Sequence, residues 1–341
     1  MATTQLSLSA TREKLKAIFM GVGVPEQDAA NTADSLLDAE LSGVESHGLM
    51  RLKPYVDRIV QKNINPDPDI QMEIHDAIIK VDGKNGLGQV VTTKTVDVCI
   101  DLARKHGVAI AAIGHSNHFG TAGFYTTRMA REGCIGFVAS AASPTMAPFG
   151  GMDLLLGTNP FSVSFPGKEQ IFCSDIATSA VAKGKIRVYE QKGLSIPTGW
   201  ALDAEGNDTT DPTAAIQGIL LPMGAHKGYA LAMVVDALCG MLSGSKLSCE
   251  SVSMFQADQP ADTAHFVAAV DIAHFLPLEE FQLRTQAWFD RLHNSTTRPG
   301  FSRILIPGEL EAEKRSGAGD SLNVLEKTAA VLETYYQTYG Q

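Results

Sequence analysis

Gly114-His115-Ser116-Asn117-His118-Phe119-Gly120-Thr121-Ala122-Gly123-Phe124-Tyr125 stands between an apolar run, Val108–Ile113, and a helical pattern, Phe124–Arg131, that stops at Gly133. The run reads as a buried strand. Two histidines, a serine and an asparagine therefore sit where a strand ends and a helix begins, the place where α/β proteins collect ligands. Gly120 and Gly123 let backbone or ligand approach closely. A polar turn that merely caps the helix is the plainer account, but two imidazoles in four residues exceed what a cap needs.

Outward from this stretch the texture is mixed α/β. Ala77–Val81, Ile135–Ser140, Leu154–Leu156, Ser162–Phe165, Ile171–Cys173, His265–Val270 and Phe301–Ile306 read as strands. Gln89–Lys105, Thr178–Gln191, His226–Leu242 and Leu278–Leu292 read as helices. Before them lie three helical segments: Ala10–Val22, a second from Glu26 to Leu41, and a third from Glu45 to Val60, kinked near Pro54. Leu322–Tyr336 reads as a closing helix. Pro66 and Pro68 mark a linker. The expected organisation is a helical unit, residues 1–72, packing with 310–341, beside a mixed α/β domain, residues 73–309.

A chain of 341 residues with 44% apolar content has room for a sizeable core. The net charge of −10 argues against nucleic acid or an anionic membrane as the main partner, and leaves an anionic small substrate open. Five cysteines without a close pair suit a reducing cytoplasm. No apolar signal core or bilayer-spanning run is present.

Five constellations could carry chemistry. Ser116, Asn117 and His118 could give a proton to a carbonyl oxygen and hydrogen-bond it. Ser46, His47 and Arg51 open the third helix; His47, Arg51 and Tyr55 follow at four-residue spacing on one face, and Arg is the bidentate clamp for a carboxylate. An exposed, ordinarily charged helix edge would look the same. Gly157-Thr158-Asn159-Pro160 by itself reads as a plain turn. Asp175-Ile176-Ala177-Thr178-Ser179 could receive phosphate or ribose, or simply cap a helix. Lys227, in Gly224-Ala225-His226-Lys227-Gly228-Tyr229, could meet a phosphate or carboxylate, or be a surface lysine. No GxGxxG, Walker A or HExxH motif occurs, and the HxxH of His115 and His118 is weak evidence for a metal.

Taken in order, Ser46-His47-Gly48-Leu49-Met50-Arg51, Ser116-Asn117-His118-Phe119-Gly120, Pro148-Phe149-Gly150-Gly151, Gly157-Thr158-Asn159-Pro160, Asp175-Ile176-Ala177-Thr178-Ser179, Lys227-Gly228-Tyr229 and Pro307-Gly308 resemble the malate/L-lactate dehydrogenase family over nearly the whole chain. The resemblance implies a non-Rossmann nucleotide fold and a homodimer. It implies an NAD- or NADP-dependent oxidoreductase of small 2-hydroxy or 2-oxo acids, with NAD the first expectation. It makes His118 the proton-transfer residue, with His47 and Ser46 beside it. Arg51, with Tyr55, Asn117 and Asn159, falls on the substrate side. Asp175, Ile176, Ala177, Thr178, Lys227, Pro307, Gly308 and Glu309 fall on the cofactor side. Ureidoglycolate dehydrogenase-like members have a cofactor-touching serine where this chain has Ala142, and Ser143 is the adjacent hydroxyl. No metal is expected. Two other readings compete: a reductase of a cyclic imine carboxylate, and a metal-dependent hydrolase or lyase using His47, His115 and His118. A non-catalytic acid-binding protein is a third.

Overall fold

In the computed structural model, which describes residues 2–256 and 259–341, the chain opens with β1 (Thr3–Ser7), α1 (Leu8–Gly21) and α2 (Glu26–Leu41). Ser7 Oγ accepts the Ala10 N–H and caps α1. Glu26 and Asp28 place negative charge in the first turn of α2. Two 3-10 turns, Glu45–His47 and Leu49–Arg51, lead into α3 (Leu52–Val60). The expected continuous helix is thus broken at Gly48, whose ψ of −137° is not helical. Pro54 lies in the first turn of α3, where its missing N–H costs nothing.

The α/β part follows: β2 (Gln71–His75), β3 (Ile78–Asp82), α4 (Gly88–His106), β4 (Val108–Ser116), α5 (Ala122–Arg131), β5 (Cys134–Ser140), β6 (Phe161–Pro166) and β7 (Ile171–Ile176). A small outlying piece holds α6 (Lys183–Gln191), β8 (Ala201–Leu202), α7 (Pro212–Gln217) and β9 (Ile219–Leu220). Then come α8 (His226–Asp236), running into a π-helical turn at Ala237–Met241, β10 (Thr263–Asp271), α9 (Leu278–His293), α10 (Glu309–Ala318), β11 (Ser321–Leu325) and α11 (Glu326–Tyr339).

One seven-stranded sheet has the order β2-β3-β4-β10-β5-β6-β7. Only β3 and β4 pair in parallel, joined by the crossover helix α4. Val91, Val96, Tyr125 and Met129 from α4 and α5 pack on Ile113, Val138 and Val267 of the central strands. Val235 and Cys239, from α8 and the π turn, pack with Ala139 and Phe266. A separate apolar cluster joins Leu15, Phe19, Leu36, Leu52 and Tyr55 to Leu322, Val324 and Leu332 from the other end of the chain. The fold is mixed α/β with a mixed sheet.

Four further segments depart from the pattern-based expectation. Leu322–Leu325 is a strand, because it pairs antiparallel with β1 from Thr3↔Leu325 to Ser7↔Ser321. Residues 178–182 are not helical: Thr178 Oγ1 and N–H both go to Thr158 O, and Ser179 Oγ goes to Val181 O. Such local side-chain bonds compete with the helix. Leu154–Leu156 makes a single bridge, Leu156 to Met146, rather than a ladder. Among the described residues Phe301–Ile306 finds no strand partner; its extension instead gives Pro307 O to the Cys173 N–H on β7. Among the described residues no helix is long and apolar enough to cross a membrane.

Candidate active site

Gly114, His115 and Ser116 belong to β4, so the turn proper begins at Asn117. Asn117 is 2% exposed, and its amide donates to Gly86 O (2.8 Å) and Asn85 Oδ1 (3.0 Å). Its carbonyl lies 3.0 Å from His265 Nε2. A Cβ on Gly88 would stand 2.1 Å from that carbonyl, so only glycine lets the start of α4 close on the turn. Tyr125 Oη donates to Phe119 O at 2.5 Å. His118 therefore lies between two residues, Asn117 and Phe119, whose backbone carbonyls are both engaged.

His118 Nδ1 lies 2.6 Å from Tyr55 Oη and 3.3 Å from the Gly120 N–H. A backbone N–H only donates, so Nδ1 is the acceptor, Tyr55 also donates, and the neutral ring carries its proton on Nε2. The His118 ring stacks on His47 with centroids 5.5 Å apart. Burial, then the Arg51 charge, holds His118 well below the ordinary histidine range. The same two causes hold His47 at about 4. Ser46 Oγ lies 2.9 Å from His47 Nδ1.

Arg51 is positioned by its Nε–H to Ser46 O at 2.6 Å, with Nη1 3.2 Å from Met254 Sδ and the guanidinium 5.2 Å over the Phe255 ring. Among the described residues no carboxylate pairs with it, and burial lowers its pKa. The 3-10 turns that carry His47 and Arg51 are tied down by Glu40, whose Oε1 accepts the Leu49 N–H at 2.7 Å. Burial raises that carboxyl to about 7. The sequence hint was an acid inside the apolar stripe of α2. Met254 and Phe255 had no local signal, since they lie some 200 residues away in sequence.

Beside this cluster runs a cleft of about 600 Å³. Ser46 and His47 stand on one wall, Gly120–Phe124 at the start of α5 on another, and Cys173–Ala177 with Leu305–Gly308 on the third. Of the residues expected on the cofactor side, Asp175, Ile176, Ala177, Pro307 and Gly308 line it. Asp175 Oδ2 accepts the Gly123 N–H at 2.7 Å and so caps α5. Its side chain opens on the cleft, yet it is set deep enough among protein atoms that burial raises its pKa to about 6. Asp38 and Glu311 share the cleft. An acidic wall of this kind suits the hydroxyls of a ribose. Cβ atoms on Gly123 and Gly308 would stand 3.0 Å and 2.9 Å from Cys173, so bare backbone forms the floor. These residues fit a nicotinamide dinucleotide.

The other expected residues lie elsewhere. Lys227 is exposed at the start of α8, on a turn joined to Thr178 by the Met223 N–H. Glu309 turns its carboxylate to the Ile306 N–H (2.8 Å) and His293 Nε2 (3.1 Å). Thr178 is buried against Thr158, and Ser143 sits between β5 and the Met146 bridge, half-buried. Asn159 is fully buried, its Oδ1 taking the Ala142 N–H and Ser248 Oγ–H and its Nδ2 donating to Ala232 O. It ties three segments together. His115 is half exposed and pairs with Asp262 at 3.0 Å. The three-histidine metal set is therefore not assembled, and among the described residues no group of three His, Cys, Asp or Glu is placed to hold a metal.

Residues 6–331 match the family described as malate/L-lactate dehydrogenase. A malate dehydrogenase of Pyrococcus horikoshii is 41% identical over 301 residues, 86% of this chain and 83% of that protein. A (2R)-3-sulfolactate dehydrogenase (NADP(+)) of Chromohalobacter salexigens is 36% identical over 335 residues, 97% of each. The solved structure of sulfolactate dehydrogenase from Methanocaldococcus jannaschii superposes with a TM-score of 0.94 at 34% identity, covering 99% of this chain and 98% of that one.

Proposed function

The chain belongs to the malate/L-lactate dehydrogenase family and is an oxidoreductase, and from that premise we propose that it moves hydride between a nicotinamide dinucleotide and C2 of a small 2-hydroxy or 2-oxo acid. The observation that carries this reading is Arg51. A half-buried guanidinium without a carboxylate partner is stabilised when an anion joins it, and its planar fork matches a substrate carboxylate. That contact orients C2 toward the histidine pair.

A nicotinamide bound in the cleft would supply or accept the hydride. The chain's own residues handle the proton: His118, protonated once the substrate carboxylate offsets Arg51, gives Nε2–H to the C2 oxygen during reduction and is left as the neutral ring, its remaining proton on Nδ1 facing Tyr55 Oη, which turns to accept it. In oxidation the same ring takes the proton back on Nε2. His47 and Ser46 flank the oxygen, while Asn117 and Asn159 act through the backbone they hold rather than by touching substrate. Asp175 and the Pro307–Gly308 backbone receive the ribose and its neighbours. Lys227 reaches the dinucleotide only if its exposed side chain folds toward Thr178.

The molecule acts as a homodimer. Met233 (50% exposed), Val234 (52%), Met241 (64%) and Leu242 (57%) give α8 and the π turn an apolar outer face that supports this. Five free cysteines fit a cytoplasmic setting.

The test is a screen of 2-oxo acids for oxidation of NADH and NADPH, repeated with Arg51→Lys. Substrate KM should rise with a loss of about 2–4 kcal/mol in kcat/KM, and dinucleotide affinity should hold. Unchanged substrate kinetics would remove Arg51 from the site.

A further inference from the structure

We propose that a second cavity, sharing a wall with the cleft, receives the 2′-phosphate of NADP(H), so that the protein accepts the phosphorylated dinucleotide. The proposal rests on the dinucleotide reading above. The cavity has a volume of about 630 Å³ and shares Thr127, Cys173, Gly308 and Arg315 with the cleft wall. Beyond them it is lined by Arg131, Lys168 and Gln170.

Charge sets this cavity apart. The chain carries a net −10, and the cleft itself presents Asp38, Asp175 and Glu311. The second cavity brings three cations together against one acid, Glu169. Arg315 Nη1 is occupied by Ser42 Oγ at 2.5 Å and Asp38 Oδ1 at 3.3 Å. Arg131 and Lys168 are exposed and, among the described residues, form no ion pair. Gln170 Nε2 is buried and, among the described residues, has no acceptor. Two exposed cations outside any ion pair, Arg131 with only the through-space pull of Asp38, form a set that an anion satisfies and a neutral ligand does not.

Geometry assigns the anion to the dinucleotide. Helix α5 starts four residues after His118 and runs from Ala122, in the cleft, through Thr127, on the shared wall, to Arg131. At 1.5 Å per residue Arg131 lies about 13 Å along the axis from Ala122. Strand β7 packs beside α5 with the opposite chain direction, its end at Asp175 and Ile176 in the cleft and its start at Ile171 in the second cavity. The nicotinamide end belongs at the histidines, so the adenosine end lies toward Gly308, on the wall the two cavities share. Ribose hydroxyls there face the acids, and a phosphate on the 2′ oxygen reaches Arg131 and Lys168. Gly308 packs its bare Cα against Cys173, which keeps that wall thin.

The experiment measures dissociation constants of NADPH, NADH, 2′-AMP, 5′-AMP and inorganic phosphate for the wild type, Arg131→Gln, Lys168→Gln and the double variant. Both sites are exposed, and NADH affinity serves as the folding control. The double variant should bind NADPH and 2′-AMP at least about tenfold more weakly while NADH and 5′-AMP change less than about twofold. If the NADPH-to-NADH ratio is unmoved, or the wild type binds NADH and rejects NADPH, the subsite is wrong and the oxidoreductase reading stands. If the wild type binds neither dinucleotide, that wider reading falls as well. Phosphate binding that depends on Arg131 but does not compete with NADPH would mark a free-anion site and overturn the nucleotide assignment.

Discussion

His118 and Tyr55 form a unit, because their 2.6 Å hydrogen bond fixes the tautomer of the free ring and gives Nδ1 a partner in either protonation state. His118→Asn should lose about 10²–10⁴-fold in kcat with dinucleotide affinity retained. His47→Asn, run beside it, discriminates: if His47→Asn abolishes turnover while His118→Asn keeps it, the proton comes from the Ser46–His47 turn. Tyr55→Phe leaves Nδ1 with only the long Gly120 contact and should slow reduction more than it weakens binding. The pH profile follows from the charges. Arg51 and burial depress both histidines, His47 to about 4, so neither titrates near neutrality in the free enzyme. A bound carboxylate offsets the Arg51 charge, and the histidine pKa values rise. The histidine inflection in kcat should therefore lie at higher pH than the one in kcat/KM; coincident inflections would mean that the acid does not sit against Arg51.

The elements that hold the site differ in how plainly they announce themselves. Gly48 separates the two 3-10 turns, and a Cβ there would meet Glu40 Oε1 at 2.5 Å. Gly48→Ala should push Glu40 off the Leu49 N–H and displace His47 and Arg51 together, costing catalysis and substrate affinity while the cleft's dinucleotide wall, on β7 and Leu305–Gly308, stays intact. Equal losses for substrate and cofactor would show a general collapse instead. The strand-to-helix passage from Val108 through His118 was legible because its apolar run and helical spacing are both local. The Ser46–Arg51 segment was legible in content but not in shape: its spacing looks helical, and only Glu40, from another helix, shows why it is broken. Asn159 and Glu309 read as ligand contacts in the resemblance, yet their polar atoms meet partners far off in sequence or folded back on themselves. Strands β1 and β11 gave no usable pattern, since each is five residues long and finds its partner at the opposite terminus.

Over the whole molecule, buried titratable groups set a balance that changes with acidity. His265 is wholly buried between Ser140, Ser116 and the Asn117 carbonyl, and burial lowers its pKa from 6.5 to about 4. Unfolded, it takes a proton below 6.5; folded, it does not until about 4. Stability therefore falls as pH drops through that window, by on the order of 3 kcal/mol for this group. His47 acts in the same sense. Glu40, raised to about 7, acts in the opposite sense between 7 and its ordinary 4.5. Urea midpoints at pH 7 and pH 4.5 should show an acid loss that shrinks in His265→Asn; an equal loss in both proteins would place the acid sensitivity elsewhere. The pairing of β1 with β11 bears on a different matter, the order in which the protein is made. Thr3 waits for Leu325, and the apolar faces of α1 and α2 wait for Leu322, Val324 and Leu332. At roughly 5–20 residues per second this interval spans about 15 seconds to a minute on the ribosome. The segment that emerges first is thus the last to close, and a nascent chain stalled before residue 321 should bind a chaperone through its N-terminal helices.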